Sequence, residues 1–115
     1  MLRETHNARR YNEPVTLLRE RSEEDGYGHV AVMETEKVLD CFAQVRQMSS
    51  SRTAMTFQLA DVIGLDIELR NPGVGFNLIA WRGHRVHFAQ PEDADMRGRV
   101  LKIQGWYQID DPGNG

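Results

Sequence analysis

His84 and His87 are the closest approach in the sequence to a pair of metal ligands. His-x-x-His sets two imidazoles one turn apart on a helix. Here the residues fall in a β-prone segment, where an offset of three sends side chains to opposite faces. No paired cysteine or third histidine lies nearby, so the spacing does not build a zinc site. Glu92, Asp93 and Asp95 offer oxygen ligands to a hard cation but lack the regular ligand spacing and internal glycine of a calcium loop. Gly73-Val74-Gly75 follows a strand pattern, yet no Lys-Ser/Thr pair closes a phosphate loop. Cys41 sits among apolar residues without a base beside it, which suits an inert small hydrophobe better than a nucleophile. Ser49, Ser50 and Ser51 do not form a nucleophile elbow. These residues point away from an enzyme, a cofactor or a metal. A small hydrolase or metal enzyme using His84 and Cys41 is the catalytic alternative.

Binding chemistry is better represented. Arg82, Arg85, Arg97, Arg99 and Lys102 are interleaved with Trp81, Phe88, Trp106 and Tyr107. Small β-barrels hold single-stranded nucleic acid on such faces, so a single-strand-binding barrel is one reading. Glu92, Asp93, Asp95, Asp110 and Asp111 lie among the same residues and weaken the positive field. The other reading buries one tryptophan in the core, leaves the arginines as a solvated face, and makes Trp106 or Tyr107 a protein-interface anchor.

The elements that must position these groups are mostly strands. Residues 1–12 are polar and without period, and read as a mobile N-terminal arm. Val15-Thr16-Leu17-Leu18-Arg19 is a first strand, and Ser22 to Gly28 an acidic, glycine-containing loop. Over residues 35–45 two periods compete. Val38, Phe42 and Val45 share a helical face, while Leu39, Cys41, Ala43 and Val45 alternate as in a strand. Only the β-rich context favours the strand. Met48 to Met55 reads as a small, polar loop. From Phe57 to Leu69 the large apolar residues fall on odd positions, with Asp61 as the one break and Val62 as an apolar intruder, predicting one long strand bent at Gly64. Asn71 to Gly75 ends it. Asn77 to Trp81 and Val86 to Ala89 flank Arg82-Gly83-His84 as a hairpin, and a last strand runs from about Arg99 to Tyr107. The predicted fold is all-β: an antiparallel barrel or sandwich of five to six strands spanning residues 13–109, with a long loop between the second and third strands and a flexible tail at 110–115.

Composition narrows the classes. A chain of 115 residues has room for one domain, and a net charge of −3 is no general counter-charge for nucleic acid. Neither half is basic: the charge is −1 up to Phe57 and −2 beyond it. No apolar run is long enough to span a membrane, and the N-terminus reads as lacking a signal peptide. A single cysteine rules out an intramolecular disulfide. Twelve of the fourteen basic residues are arginine, which follows either from a GC-rich genome or from a surface selected for forked interface contacts.

The order of elements resembles the head–tail joining, or head-closure, proteins of tailed bacteriophages and prophages. The likeness is carried by Val15 to Arg19, the Asp25-Gly26 loop, Phe42-Ala43-Gln44-Val45 and the Ser-rich loop after it. It continues through Ile67-Glu68-Leu69-Arg70, Ile79-Ala80-Trp81-Arg82-Gly83, Val86-His87-Phe88 and Met96-Arg97-Gly98-Arg99-Val100-Leu101-Lys102-Ile103. It runs from about Pro14 to Tyr107. Val86-His87-Phe88 departs from the aromatic-x-Ile ending of many relatives, and the Ser22 to Gly28 and Glu34 to Lys37 stretches fit loosely. The resemblance implies a ring in the virion neck, assembled in the host cytoplasm. Its partners would be copies of itself, the portal-bound adaptor and tail proteins, with DNA only as passing cargo and no catalysis, cofactor or membrane. It also implies that the loop between the second and third strands lines or closes the channel, which places Ser49, Ser50, Ser51, Arg52 and Thr53 at a gate. Subunit contacts are expected at Arg9, Arg10, Arg82, Arg85, Trp106 and Tyr107.

Overall fold

A computed structural model describes residues 11–24, 26, 28, 30–89 and 99–109. They form six strands, β1 (Glu13–Glu24), β2 (Val30–Gln47), β3 (Val62–Arg70), β4 (Leu78–Trp81), β5 (His84–Phe88) and β6 (Val100–Gln108), and one helix, α1 (Ser50–Phe57). The strands close in the order β1-β2-β3-β6-β5-β4, every pairing antiparallel. The expected mainly β architecture, an antiparallel barrel or sandwich of five to six strands, is therefore present as one six-strand sheet that closes on itself, with one helix added. The expected arm (residues 1–12, apart from its last two residues), tail (110–115) and acidic loop at Glu92 to Asp95 lie outside the described residues.

The core follows from alternation. Odd positions of β1 and β3 turn inward, so Val15, Leu17, Leu65, Ile67 and Leu69 meet Ala43, Phe76, Ile79, Val86, Leu101 and Ile103 in one buried cluster. Asp66, Glu68 and Arg70 take the outer face. The seams differ in strength. β3 and β6 pair along nine positions, whereas β5 and β6 are joined only at His87↔Trp106 and Phe88↔Gly105.

Over residues 35–45 the chain is strand, not helix. β2 reaches well past the barrel: it pairs with β3 only at Gln44–Gln47 and with β1 from Val30 to Ala43. The acidic stretch read as a loop begins as strand, since β1 continues to Glu24. Gly26 and Gly28, both left-handed, follow at the ribbon's end. Register shifts between Leu17 and Leu18 and between Arg21 and Ser22 place bulges in β2. The Arg82-Gly83 turn has φ of 48° and 80°, the paired left-handed residues of a type I′ hairpin.

Two expectations fail between β2 and β3. The small polar loop is a helix, and the long third strand starts at Val62 rather than Phe57. Ser49 caps α1: its side chain accepts from the Arg52 amide at 3.2 Å. Thr53 donates its hydroxyl to the Ser49 carbonyl at 2.8 Å. Gln58 in the left-handed region ends the helix, its amide donating to Ala54. Phe57 and Leu59 fell on odd positions by coincidence.

Candidate interaction surface

The β4–β5 hairpin and β6 gather the aromatic and basic residues singled out in the sequence. Trp106 and Tyr107 are adjacent on β6 and point to opposite faces, as do His84 and His87 on β5. Each aromatic ring meets one imidazole. Tyr107 stacks on His84 with centroids 3.9 Å apart, and Trp106 stacks on His87 at 4.6 Å. Trp81 completes the first group, 6.1 Å from Tyr107 and 6.3 Å from His84. The Nδ1 of His84 is buried without a hydrogen-bond partner. The two histidines are thus packing partners of aromatics on different faces. Among the described residues no group of three or more His, Cys, Asp or Glu side chains converges as a metal site.

The arginines of the hairpin are engaged within the chain. The Arg82 guanidinium lies 5.0 Å over the Trp81 ring and bonds to Glu13, which also accepts from Trp81 Nε1 at 2.9 Å. The Trp81 hydrogen bond, with Arg82 adding to it, holds the Glu13 carboxyl below the usual glutamate range. Arg85 reaches Glu20 at 3.3 Å. Glu13 therefore organises Trp81 and Arg82, of which Arg82 is one of the residues expected at a contact, from 68 and 69 positions away. No local signal marks Glu13 in the sequence. Arg9 and Arg10 lie outside the described residues.

The residues expected at a gate cap or lie within a docked helix, Ser49 as its N-cap and Ser50, Ser51, Arg52 and Thr53 in its first turn. Arg52 forks both guanidinium nitrogens onto the Asp66 carboxylate on the outer face of β3. Thr53 is buried against Gly64, while Ser49, Ser50 and Ser51 remain exposed. Beside the helix a cavity of about 330 Å³ is lined by Met48, Thr53, Leu59, Val62 and Ile109 among others. Leu59 and Ile109 are exposed there, and Met55 on the helix is 80% exposed.

Two further grooves lie on the strands. One, of about 590 Å³, crosses the outer face of β2, β3 and β6 over the rows Gln44-Glu68-Lys102 and Arg46-Asp66-Gln104. The other, of about 400 Å³, lies among Pro14, Thr16, Cys41, Phe42 and Trp81. Phe42 projects from it with 61% of its surface exposed. The sequence showed Phe42 on the polar side of the alternation, between Asp40 and Gln44, which was the available sign. Cys41 is half-buried; burial and the neighbouring Asp40 push its thiol up, away from the thiolate a nucleophile requires. Comparison with protein-family models, with curated proteins and with solved structures returns no match.

Proposed function

We propose that this chain is a non-catalytic assembly protein of a tailed phage or prophage, forming a ring in the neck that joins or closes the head to the tail. The supporting observation is the distribution of apolar surface around a small barrel. Leu39 and Phe42 are exposed on opposite faces of β2, Met55, Leu59 and Ile109 around α1, and Val74 and Val100 elsewhere. A ring subunit needs separate lateral and axial contacts, and exposed apolar side chains at several places around the barrel leave room for both. The polar ladder on β2, β3 and β6, mixed in sign, suits a surface near DNA that must not grip it. A single-strand platform requires free aromatic faces and free cations. Here Trp106 and Tyr107 stack on the chain's own imidazoles, Trp81 lies tilted against Tyr107, and Arg82 and Arg85 are ion-paired.

Cryo-EM of particles carrying the protein tests the reading: density for the chain belongs in a ring between head and tail. Absence from that junction refutes it. Because such rings form on a template, a monomer in solution does not.

A further inference from the structure

We infer that the first ten residues of the chain lie as a strap over the outer-face groove of β2, β3 and β6 in the same copy. That groove, of about 590 Å³, is floored by the rows Gln44-Glu68-Lys102 and Arg46-Asp66-Gln104. Pairing of β1 with β2 begins at Glu13↔Ala43, so Asn12 and Tyr11 have left the sheet, and the chain bends at Tyr11. The bend turns toward the outer face. Half-buried Tyr11 passes over β2 and donates its hydroxyl to Glu68 Oε2 on β3 at 2.8 Å. Glu68 belongs to the lining of the groove. The ten residues before Tyr11 therefore start at the groove's rim.

Length, charge and tethering select this occupant. Adjacent strands lie about 4.8 Å apart, so the crossing from the line of β1 to β6 takes about 15 Å, which about five extended residues cover. Arg9 and Arg10 stand next to Tyr11 in sequence, opposite in sign to the Glu68 carboxylate that Tyr11 already reaches. A carboxylate accepts several donors at once, so the tyrosine and an arginine can share it. Asp66, the other carboxylate of the groove, is forked by Arg52, which leaves Glu68 as the one the arm meets. Both carboxylates stand on the central strand of the groove, which disfavours a phosphate chain there. The arm of another copy competes poorly, because the chain's own arm is tethered at Tyr11 and works at about millimolar effective concentration. The contact is made within one copy and does not depend on the neck-ring reading. It closes this face to a partner until the arm is displaced.

The test is paramagnetic broadening of amide resonances in the full chain, with a nitroxide attached through His6→Cys in a Cys41→Ser background. Amides of Lys102 and Gln104, across the groove, should broaden more than that of Gly83, which lies beside Glu13 on the other side through the Arg82 ion pair. In a mixture of nitroxide-bearing chain and isotope-labelled chain without nitroxide, the labelled groove amides should stay sharp. Tyr11→Phe removes a hydrogen bond to a carboxylate and should lower the ratio of docked to free arm about tenfold. Deleting residues 2–10 from the otherwise unaltered chain needs no cysteine. It should shift the amide resonances of Glu68 and Lys102 and leave those of Leu78 to Ala80 in place. The inference is overturned by equal broadening at Gln104 and Gly83, by broadening that arises in the mixed sample and so comes from a neighbouring copy, or by groove resonances that the deletion does not move.

Discussion

Gly64→Ala should loosen α1 from the barrel, and the structure sets the size of the effect. A β-carbon at position 64 would lie 2.6 Å from Thr53 Oγ1, 2.9 Å from Met48 Sδ and 3.1 Å from Phe57 Cε2. Met48 and Phe57 can shift as flexible side chains. Thr53 cannot readily turn away, because its hydroxyl is bonded to the Ser49 carbonyl that opens the helix. The helix must therefore move, at an overpacking cost of about 1–3 kcal/mol. Against this stands a gain of about 0.4–1 kcal/mol from restricting the unfolded chain. The net loss is about 1–2 kcal/mol, which lowers a urea midpoint by about 1 M for a chain this small. Equilibrium unfolding followed by far-ultraviolet circular dichroism measures it. Thr53→Ala in the Gly64→Ala background removes the clashing oxygen, so the double-mutant cycle should show favourable coupling of about 1 kcal/mol. A midpoint that stays or rises in Gly64→Ala, or two strictly additive substitutions, would refute the account of how α1 is held.

Gly105→Ala should strike the weakest seam harder than an ordinary glycine replacement in a strand. Its added carbon would meet the His87 carbonyl oxygen at 2.9 Å and Val86 Cγ1 at 2.8 Å, where β5 and β6 share only two paired positions. Amide exchange at His87 and Phe88 should speed up before the rest of the sheet does. Glu13 is held ionised by Trp81 and Arg82, so its folded pKa is depressed. The stability it contributes is complete above the ordinary glutamate pKa and is lost as pH falls through the folded value. Glu13→Gln should remove that acid-limb slope and leave thermal midpoints flatter below pH 4.5, the ordinary value. An unchanged slope would show that the Trp81 contact does not act on the carboxylate. Cys41 should react slowly with a disulfide reagent at neutral pH, and its rate should keep climbing past pH 9.0, the ordinary value, before levelling off, because burial raises its pKa. A rate plateau near neutrality would contradict this.

Much of the barrel was legible because its strands carry one buried face. In β3 the odd-numbered Leu65, Ile67 and Leu69 are buried and the even-numbered polar residues are not, and the Arg82-Gly83 turn announced its own hairpin. The helix was hidden because it buries only Thr53, so no apolar stripe marks it. Its sign was a cap, Ser49 ahead of Arg52 and Thr53, which resembles any serine-rich loop until the helix is seen. The interaction surface was half legible. Composition marked Trp81, Trp106, Tyr107 and the arginines as a group, yet only the closed sheet brings Glu13 to Trp81 and Arg82 or sets each histidine against its ring.

The competing periods over residues 35–45 meet an irregular strand, bulged near Val38. Leu17 pairs with Leu39 and Leu18 with Lys37, so Val38 is the extra residue and the alternation of β2 changes phase there. Downstream, Ala43 is buried and Cys41 and Val45 pack on the core, with Phe42 and Gln44 opposite, as a plain strand requires. Across the bulge, Lys37 and Asp40 come to the same face and form an ion pair, although residues three apart on an undistorted strand point oppositely. The helical face of Val38, Phe42 and Val45 read from the sequence is not formed, because Phe42 is exposed while Val45 packs on the core. The same irregularity twists the ribbon and breaks up its open edge, which discourages indiscriminate pairing along its length. What stays regular is Leu39 to Ala43. There the pairing of β2 with β1 runs without interruption, so its inner and outer faces are fixed next to the barrel.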